Sequence, residues 1–358
     1  MQKVTTNHKV GSKVSSKAKD LSLPTKGRKF QLKPELLKQI YDLMVKTRCL
    51  EERLIKMYKQ NDGFFWIGGP GEEAFNIPLG LLLKKGKGPE FDYFHGHYRS
   101  AGTLVAMGMQ SIDAMRQMKN TATDPFSGGR NFCGHISISK WNIAPITSPI
   151  EVQYSIAPGT ARVQKRTKSN GITVVTGGDA GTAEGDFATG LIWSSRPGDE
   201  LPILLIVTNN KWGISTPYDT QHGELRVADR GKAFGIRCET INGNDPEEAY
   251  LKLKELMDYV RKEKKPVLLE ANVSRLYGHS SASGANFNQV EEDPIRSFED
   301  RLAKAGVMTK DEMKAIWARY EAEMALEAKQ VRGEPQPDPE SIWDNVYFGQ
   351  KGREGRFW

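Results

Sequence analysis

The chain has 358 residues with 38% hydrophobic and 27% charged side chains and a formal net charge of +7, proportions of a globular protein able to hold one large domain or two medium ones. Its longest apolar run, 201–207, is far too short to cross a bilayer, so no membrane partner is expected. Three widely spaced cysteines, Cys49, Cys133 and Cys238, exclude a disulfide framework and a structural zinc site and fit buried thiols in a reducing compartment.

The charge excess does not mark a nucleic-acid surface. Residues 1–29 hold eight basic residues against one acid, Asp20, which accounts for all of it. Residues 1–31 read as a disordered Ser/Thr/Lys-rich arm, solvated or touching a partner. A transit peptide is the competing reading, but Lys rather than Arg dominates and no apolar face is visible.

Order is expected from residue 32. Pro34 is placed to open a helix over 34–59, with Leu37, Ile40, Tyr41, Met44 and Val45 at helical spacing. A glycine-rich turn over 63–71 leads to a second helix over 74–83. Residues 91–100 are dense in aromatics and histidines, and Ser111 with Asp113 is expected to cap a short helix through Met115 and Met118. Residues 123–149 show little periodicity and read as a long functional loop.

The β-branched run at 171–176 and the apolar run at 202–208 read as buried parallel strands around a helix over 181–195. A second βαβ unit follows: a strand over 238–241, a helix capped at Asn244 or Asp245, and a strand over 266–273. Asp293-Pro294 starts a helix, and another runs over 309–330. Strands alternating with helices predict an α/β fold, a doubly wound and mostly parallel sheet, with helical extensions at both ends of a domain spanning 32–332. Residues 333–358, carrying Trp343, Tyr347, Phe348 and Trp358, read as an extended aromatic tail packed on a surface.

The chemistry concentrates after the first two central strands. One ends in Gly177-Gly178-Asp179-Ala180-Gly181 and the other in Asn209-Asn210-Lys211-Trp212-Gly213. Ligands of parallel sheets bind at the carboxyl ends of strands, so both loops face one crevice. Glycines admit a phosphate to the backbone, and a helix starting near Gly181 aims its amides there. Asp179 and the Asn210 carbonyl suit magnesium beside phosphates. Neither a dinucleotide fingerprint nor a P-loop is present. Taken alone, the same residues also fit plain turn and helix capping.

The flanking residues narrow the choice. Gly96-His97-Tyr98-Arg99-Ser100, Ser148-Pro149 with Gln153, Ala183-Glu184-Gly185-Asp186, Ile214-Ser215-Thr216-Pro217, Gly278-His279-Ser280 and Asp293-Pro294-Ile295 follow one another from about 34 to 347. In that order the chain resembles the alpha subunit of the thiamine-diphosphate-dependent decarboxylase component of 2-oxo acid dehydrogenase complexes, the branched-chain type more than the pyruvate type.

The resemblance implies specific roles. Asp179, the Asn210 side chain and the Trp212 carbonyl would ligate Mg2+. Tyr98 and Arg99, with the backbone at Gly178, Ala180 and Gly181, would meet the diphosphate, where a guanidinium fork suits phosphate oxygens. Ser148 and Ile150 would touch the aminopyrimidine end, and Ser148, Pro149 and Gln153 resemble a potassium loop. His279 matches the active-site histidine, with His95, His97 and His135 as lesser candidates. The carboxylate that activates the cofactor comes from a second chain in this family, and Glu72 and Glu73 suit capping or structural roles. The implied partners are a beta subunit in a heterotetramer, a lipoyl-bearing acyltransferase core and a small 2-oxo acid, in the bacterial cytoplasm or, alternatively, the mitochondrial matrix.

Several positions depart from the pattern. Ala180 replaces a glycine, Thr208 stands where relatives carry an arginine, and Val152 replaces a threonine of the cation loop. The loop after His279 lacks the residues of kinase-regulated members. A pyruvate or acetoin dehydrogenase alpha subunit, a lone thiamine-dependent carboligase and a non-catalytic subunit of the same fold remain as alternatives.

Overall fold

The computed structural model describes residues 29–344 and 346. Residues 1–28 of the basic arm and 345 and 347–358 of the aromatic tail lie outside it. The described chain starts at residue 29, and its first residues are held on the domain. Phe30 packs edge-on against Phe298 at 6.0 Å, and the Gln31 and Leu32 amides donate to Glu247 Oε1 at 2.5 and 3.0 Å.

The elements run α1 (Pro34–Lys59), α2 (Glu73–Leu82), β1 (Tyr93–His95), α3 (Ala101–Met107), α4 (Ser111–Met118), α5 (Val152–Arg166), β2 (Thr173–Gly178), α6 (Gly185–Ser194) and β3 (Ile203–Asn209). They continue through the two-residue strands β4 (Trp212–Gly213) and β5 (Thr216–Pro217), then β6 (Arg237–Asn242), α7 (Pro246–Glu263), β7 (Val267–Asn272), α8 (Pro294–Lys304) and α9 (Lys310–Arg332). The main sheet has the order β1-β2-β3-β7-β6, and every pairing in it is parallel. Among the described residues no helix is long and apolar enough to cross a membrane.

All of β3 is buried because both faces of the sheet are covered. Ile203, Leu205 and Val207 join Tyr154 and Ala157 of α5 and Phe187 and Leu191 of α6 in one core. Leu204 and Ile206 point the other way, into a larger core built with α1, α2 and α7. This is the doubly wound layering expected from the alternating pattern.

Helix starts with a local signal fall where the sequence places them. The Asp245 carboxylate accepts the Glu247 and Glu248 amides, Asp293 accepts that of Ile295, and Thr309 with Glu312 closes a capping box on α9. Ser111 differs: it is the first residue of α4, and the preceding Gln110 makes no side-chain cap. The helix expected over 181–195 is divided into a 3-10 turn, Ala180–Ala183, and α6 from Gly185. The edge strand β1 and helices α3 and α5 carry no comparable signal in the sequence. Pro158 and Gly159 inside α5 break the pattern by which a helix is read. The expected loop over 123–149 contains one 3-10 turn, Ser139–Trp141.

Candidate functional site

Parallel pairing sends the loops after β1, β2, β3 and β7 off the same edge of the sheet. Gly178 pairs with Thr208 in register, and Asn209 with Asn272. Asp179 and Asn210 therefore leave adjacent strands almost level, and both are buried. The loop after β1 brings Tyr98 and Arg99 to the same edge, and the loop after β7 brings Arg275 and His279.

Asp179 is buried at 1% exposure, and neither carboxylate oxygen makes a well-formed hydrogen bond among the described residues. Burial pushes its pKa up. Arg99, the backbone amides of Asp179 and Asn210, and His222 oppose that shift without cancelling it. An unpaired buried carboxylate is costly. Asn210 presents a complementary fragment: its Oδ1 accepts the Trp212 amide at 3.1 Å, leaving a second lone pair, and its Nδ2 has no partner among the described residues.

Asn209 turns elsewhere. Its Nδ2 donates to buried Glu270 at 2.7 Å, and Glu270 also accepts the Ala228 amide. Its Oδ1 accepts the Lys211 amide, so it holds the loop while Asn210 faces Asp179. Lys211 is left-handed, with φ 68°, and the turn carries Trp212 back over the crevice. Among the described residues no group of three or more His, Cys, Asp or Glu side chains is arranged to hold a metal. A cation here would rest on Asp179, the Asn210 amide oxygen and backbone oxygen, a set that fits hard Mg2+.

Arg99 is buried rather than part of a surface ion pair. Its Nε lies 2.7 Å from Glu72 Oε1, without the alignment of a hydrogen bond. Its Nη1 donates to the Tyr98 hydroxyl at 3.1 Å. A Cβ on Gly178 would come within 2.6 Å of Arg99 Nη2, so the glycine lets the guanidinium approach the loop bearing Asp179. The His279 ring meets Tyr98 edge-on at 5.8 Å. Burial, with Arg99 and Arg275 nearby, lowers the His279 pKa to about 4, so it is neutral at pH 7.

The remaining candidates separate. Ser148 is exposed and its Oγ meets His135 Nε2 at 2.8 Å, while Ile150 is 44% exposed. His135 is buried, with Nδ1 on the Cys133 carbonyl. His95 is buried against Thr160 Oγ1, and His97 lies buried under the Tyr98 ring at 3.7 Å. Gln153 donates to the Thr176 carbonyl at 2.9 Å. The Ala180 methyl lies where a Gly213 side chain would begin, 2.7 Å from that Cβ position, so it crowds the Trp212 turn rather than open space.

Sequence reasoning missed Glu151. It is 1% exposed and left-handed with φ 66°, and its Oε1 accepts the Gly178 amide at 3.2 Å. A Cβ on Gly177 or Gly181 would collide with its carboxylate, so the absence of a side chain at these glycines makes room for Glu151. Burial raises its pKa to about 8. The only local signal was an acid between Ile150 and Val152. His222 was also missed: its ring stacks on Tyr218 at 4.2 Å, and its buried Nε2 lacks a partner among the described residues.

Comparison with known proteins gives this geometry its family. Residues 41–340 match the model of the dehydrogenase E1 component. The 2-oxoisovalerate dehydrogenase subunit alpha of Bacillus subtilis (strain 168) is 30% identical over 316 residues, covering 86% of this chain and 94% of that one. The mitochondrial 2-oxoisovalerate dehydrogenase subunit alpha 2 of Arabidopsis thaliana is 28% identical, covering 91% and 69%. The corresponding human mitochondrial subunit alpha is 26% identical, covering 88% and 71%. With its parallel sheet, its strand-end crevice and these relatives, the chain belongs to the dehydrogenase E1 component family of oxidoreductases, as an alpha-type subunit of the 2-oxo acid dehydrogenases.

Proposed function

We propose that this chain is the alpha subunit of a branched-chain 2-oxo acid dehydrogenase, acting on 3-methyl-2-oxobutanoate with Mg2+ and thiamine diphosphate, the cofactor on which the E1 dehydrogenase family depends. The observation that carries the reading is Asp179, a buried carboxylate beside Arg99 whose oxygens make no well-formed hydrogen bond among the described residues. Asp179, Asn210 Oδ1 and the Trp212 carbonyl would hold the metal, and Tyr98, Arg99 and the backbone at Gly178, Ala180 and Gly181 would face the diphosphate. Bound there, the cofactor would supply the chemistry of decarboxylation and acyl transfer.

The chain's own residues orient and exclude water. His279, neutral at pH 7, offers one N–H donor and one acceptor nitrogen at the crevice mouth. Ser148 and Ile150 are accessible at the rim, where they would meet the aminopyrimidine end. Potassium is left out of the reading: the Val152 side chain offers no ligand atom and the Ser148 hydroxyl engages His135.

Glu72 and Glu73 face buried arginines, which favours an activating carboxylate from a beta subunit in a heterotetramer. A lipoyl-bearing acyltransferase core would receive the acyl group. The B. subtilis relative favours a cytoplasmic setting.

The test is purification with and without a beta subunit partner, followed by decarboxylation of 3-methyl-2-oxobutanoate and of pyruvate. The pair should turn over the branched substrate faster, and the single chain should turn over little. Preference for pyruvate would move the chain to a pyruvate dehydrogenase, and equal activity of the single chain would overturn the split site.

A further inference from the structure

Glu151 carries two unfavourable features at one residue. Its backbone is left-handed at φ 66°, a conformation that disfavours a long side chain. Its carboxylate is buried with one hydrogen bond, from the Gly178 amide to Oε1 at 3.2 Å, and Oε2 has no partner among the described residues. Strain combined with an unsatisfied buried polar group persists where the surroundings enforce it, which is most often at a functional site.

The carboxylate's neighbours say what it acts on. Gly177 and Gly181 bracket Asp179 in sequence, and a side chain on either would strike the Glu151 carboxylate. The group that accepts the Gly178 amide therefore touches the backbone on both sides of Asp179. Glu151 in turn is anchored by α5, whose first residue is Val152 and whose Tyr154 hydroxyl bonds the Ile206 carbonyl of β3. The end of β2 and the middle of β3 are thus joined through α5 as well as through the strands' own pairing.

We propose that Glu151 is a positioning residue: its carboxylate, gripping the Gly178 amide, holds the loop so that the Asp179 oxygens stay aimed at the metal and diphosphate. The strained backbone is what turns the side chain inward from the start of the helix. Glu151 touches neither substrate nor cofactor in this account. It acts through Gly178 and Asp179, and the inference rests on the cofactor reading above.

Two variants separate positioning from folding, studied in the chain co-purified with its beta subunit. Glu151→Gly suits the left-handed backbone and removes the carboxylate. Glu151→Gln keeps an acceptor oxygen for the Gly178 amide. Thiamine diphosphate with Mg2+ is titrated by calorimetry, and the melting temperature is read without cofactor. Glu151→Gly should melt no lower than the parent yet bind at least tenfold more weakly, and Glu151→Gln should bind within about threefold of the parent. Parent-like affinity in Glu151→Gly, or Glu151→Gln as weak as Glu151→Gly, would overturn the positioning role alone. A Glu151→Gly chain that melts lower would make the residue a structural prop instead. A parent that binds no cofactor would overturn the functional reading and this role with it.

Discussion

Two consecutive glutamates at the start of α2 face two buried arginines, and the pairs differ in how completely they close. Glu73 takes Arg48 through Nε and Nη2 at 2.6 and 3.0 Å. Arg48 reaches on to Asp293 at 3.0 and 3.3 Å, and Glu73 also accepts the Gly71 amide. Each charged group in that cluster has aligned partners. Glu72 lies beside Arg99 without alignment, and Arg99 faces Asp179, whose two oxygens make no well-formed hydrogen bond among the described residues. The difference teaches where the molecule is finished and where it waits. A closed buried network joins α1, α2 and the start of α8, whereas an open one at strand ends is a site whose remaining partners come from outside the chain.

The largest expected effect breaks the closed side. Arg48→Ala leaves Glu73 buried without its cation and should cost about 3–5 kcal/mol in urea unfolding. A loss below about 1 kcal/mol would mean that the network is not what secures α1 on α2.

Acid-to-amide changes sharpen the contrast. Glu73→Gln loses charge-assisted bonds worth about 2 kcal/mol, while Asp179→Asn removes an unpaired buried charge and should leave the cofactor-free chain equally stable or about 1 kcal/mol more stable. Differential scanning calorimetry of the two variants reads both. Destabilisation by Asp179→Asn equal to that by Glu73→Gln would show that both networks are structural.

A smaller effect concerns pH. Burial lowers the His95 pKa from 6.5 to about 4. Between those values the unfolded chain binds the proton and the folded chain does not. This contribution to stability is therefore complete above about pH 6.5 and is lost as pH falls through about 4. At pH 6 the loss is about 1 kcal/mol, and His95→Gln should flatten that part of the stability profile. An unchanged slope between pH 5 and 6.5 would place the titration elsewhere.

What was legible in the sequence was local. The apolar runs of β2 and β3 announced a sheet buried on both faces, and Asp245, Asp293 and Thr309 announced helix starts, because each signal acts within a few residues. Helix α5 was hidden by Pro158 and Gly159 and by the left-handed Glu151 before it. The Asn209-Asn210 pair was visible as a unit, but its division of labour depends on Glu270, which lies on β7 and meets Asn209 only after the strands pair. The glycines after β2 suggest backbone open to a phosphate, but not which side chains fill the space beside them. Two of them make room for Glu151 and one for Arg99, contacts set by residues 26 or more positions away in a folded sheet. Arg99 and His279 were legible through their motifs, while the depth of Arg99 and the neutrality of His279 come from burial, which no motif records.

The central claim is that the Asp179–Asn210 crevice binds a metal-bound diphosphate. Its most direct test is calorimetric titration of thiamine diphosphate into the subunit pair, parent and Asp179→Ala, with Mg2+ and again with a chelator. Tight binding by the parent that is lost both in Asp179→Ala and under chelation is the predicted result. Binding by Asp179→Ala equal to that of the parent, or indifference to chelation, would contradict it.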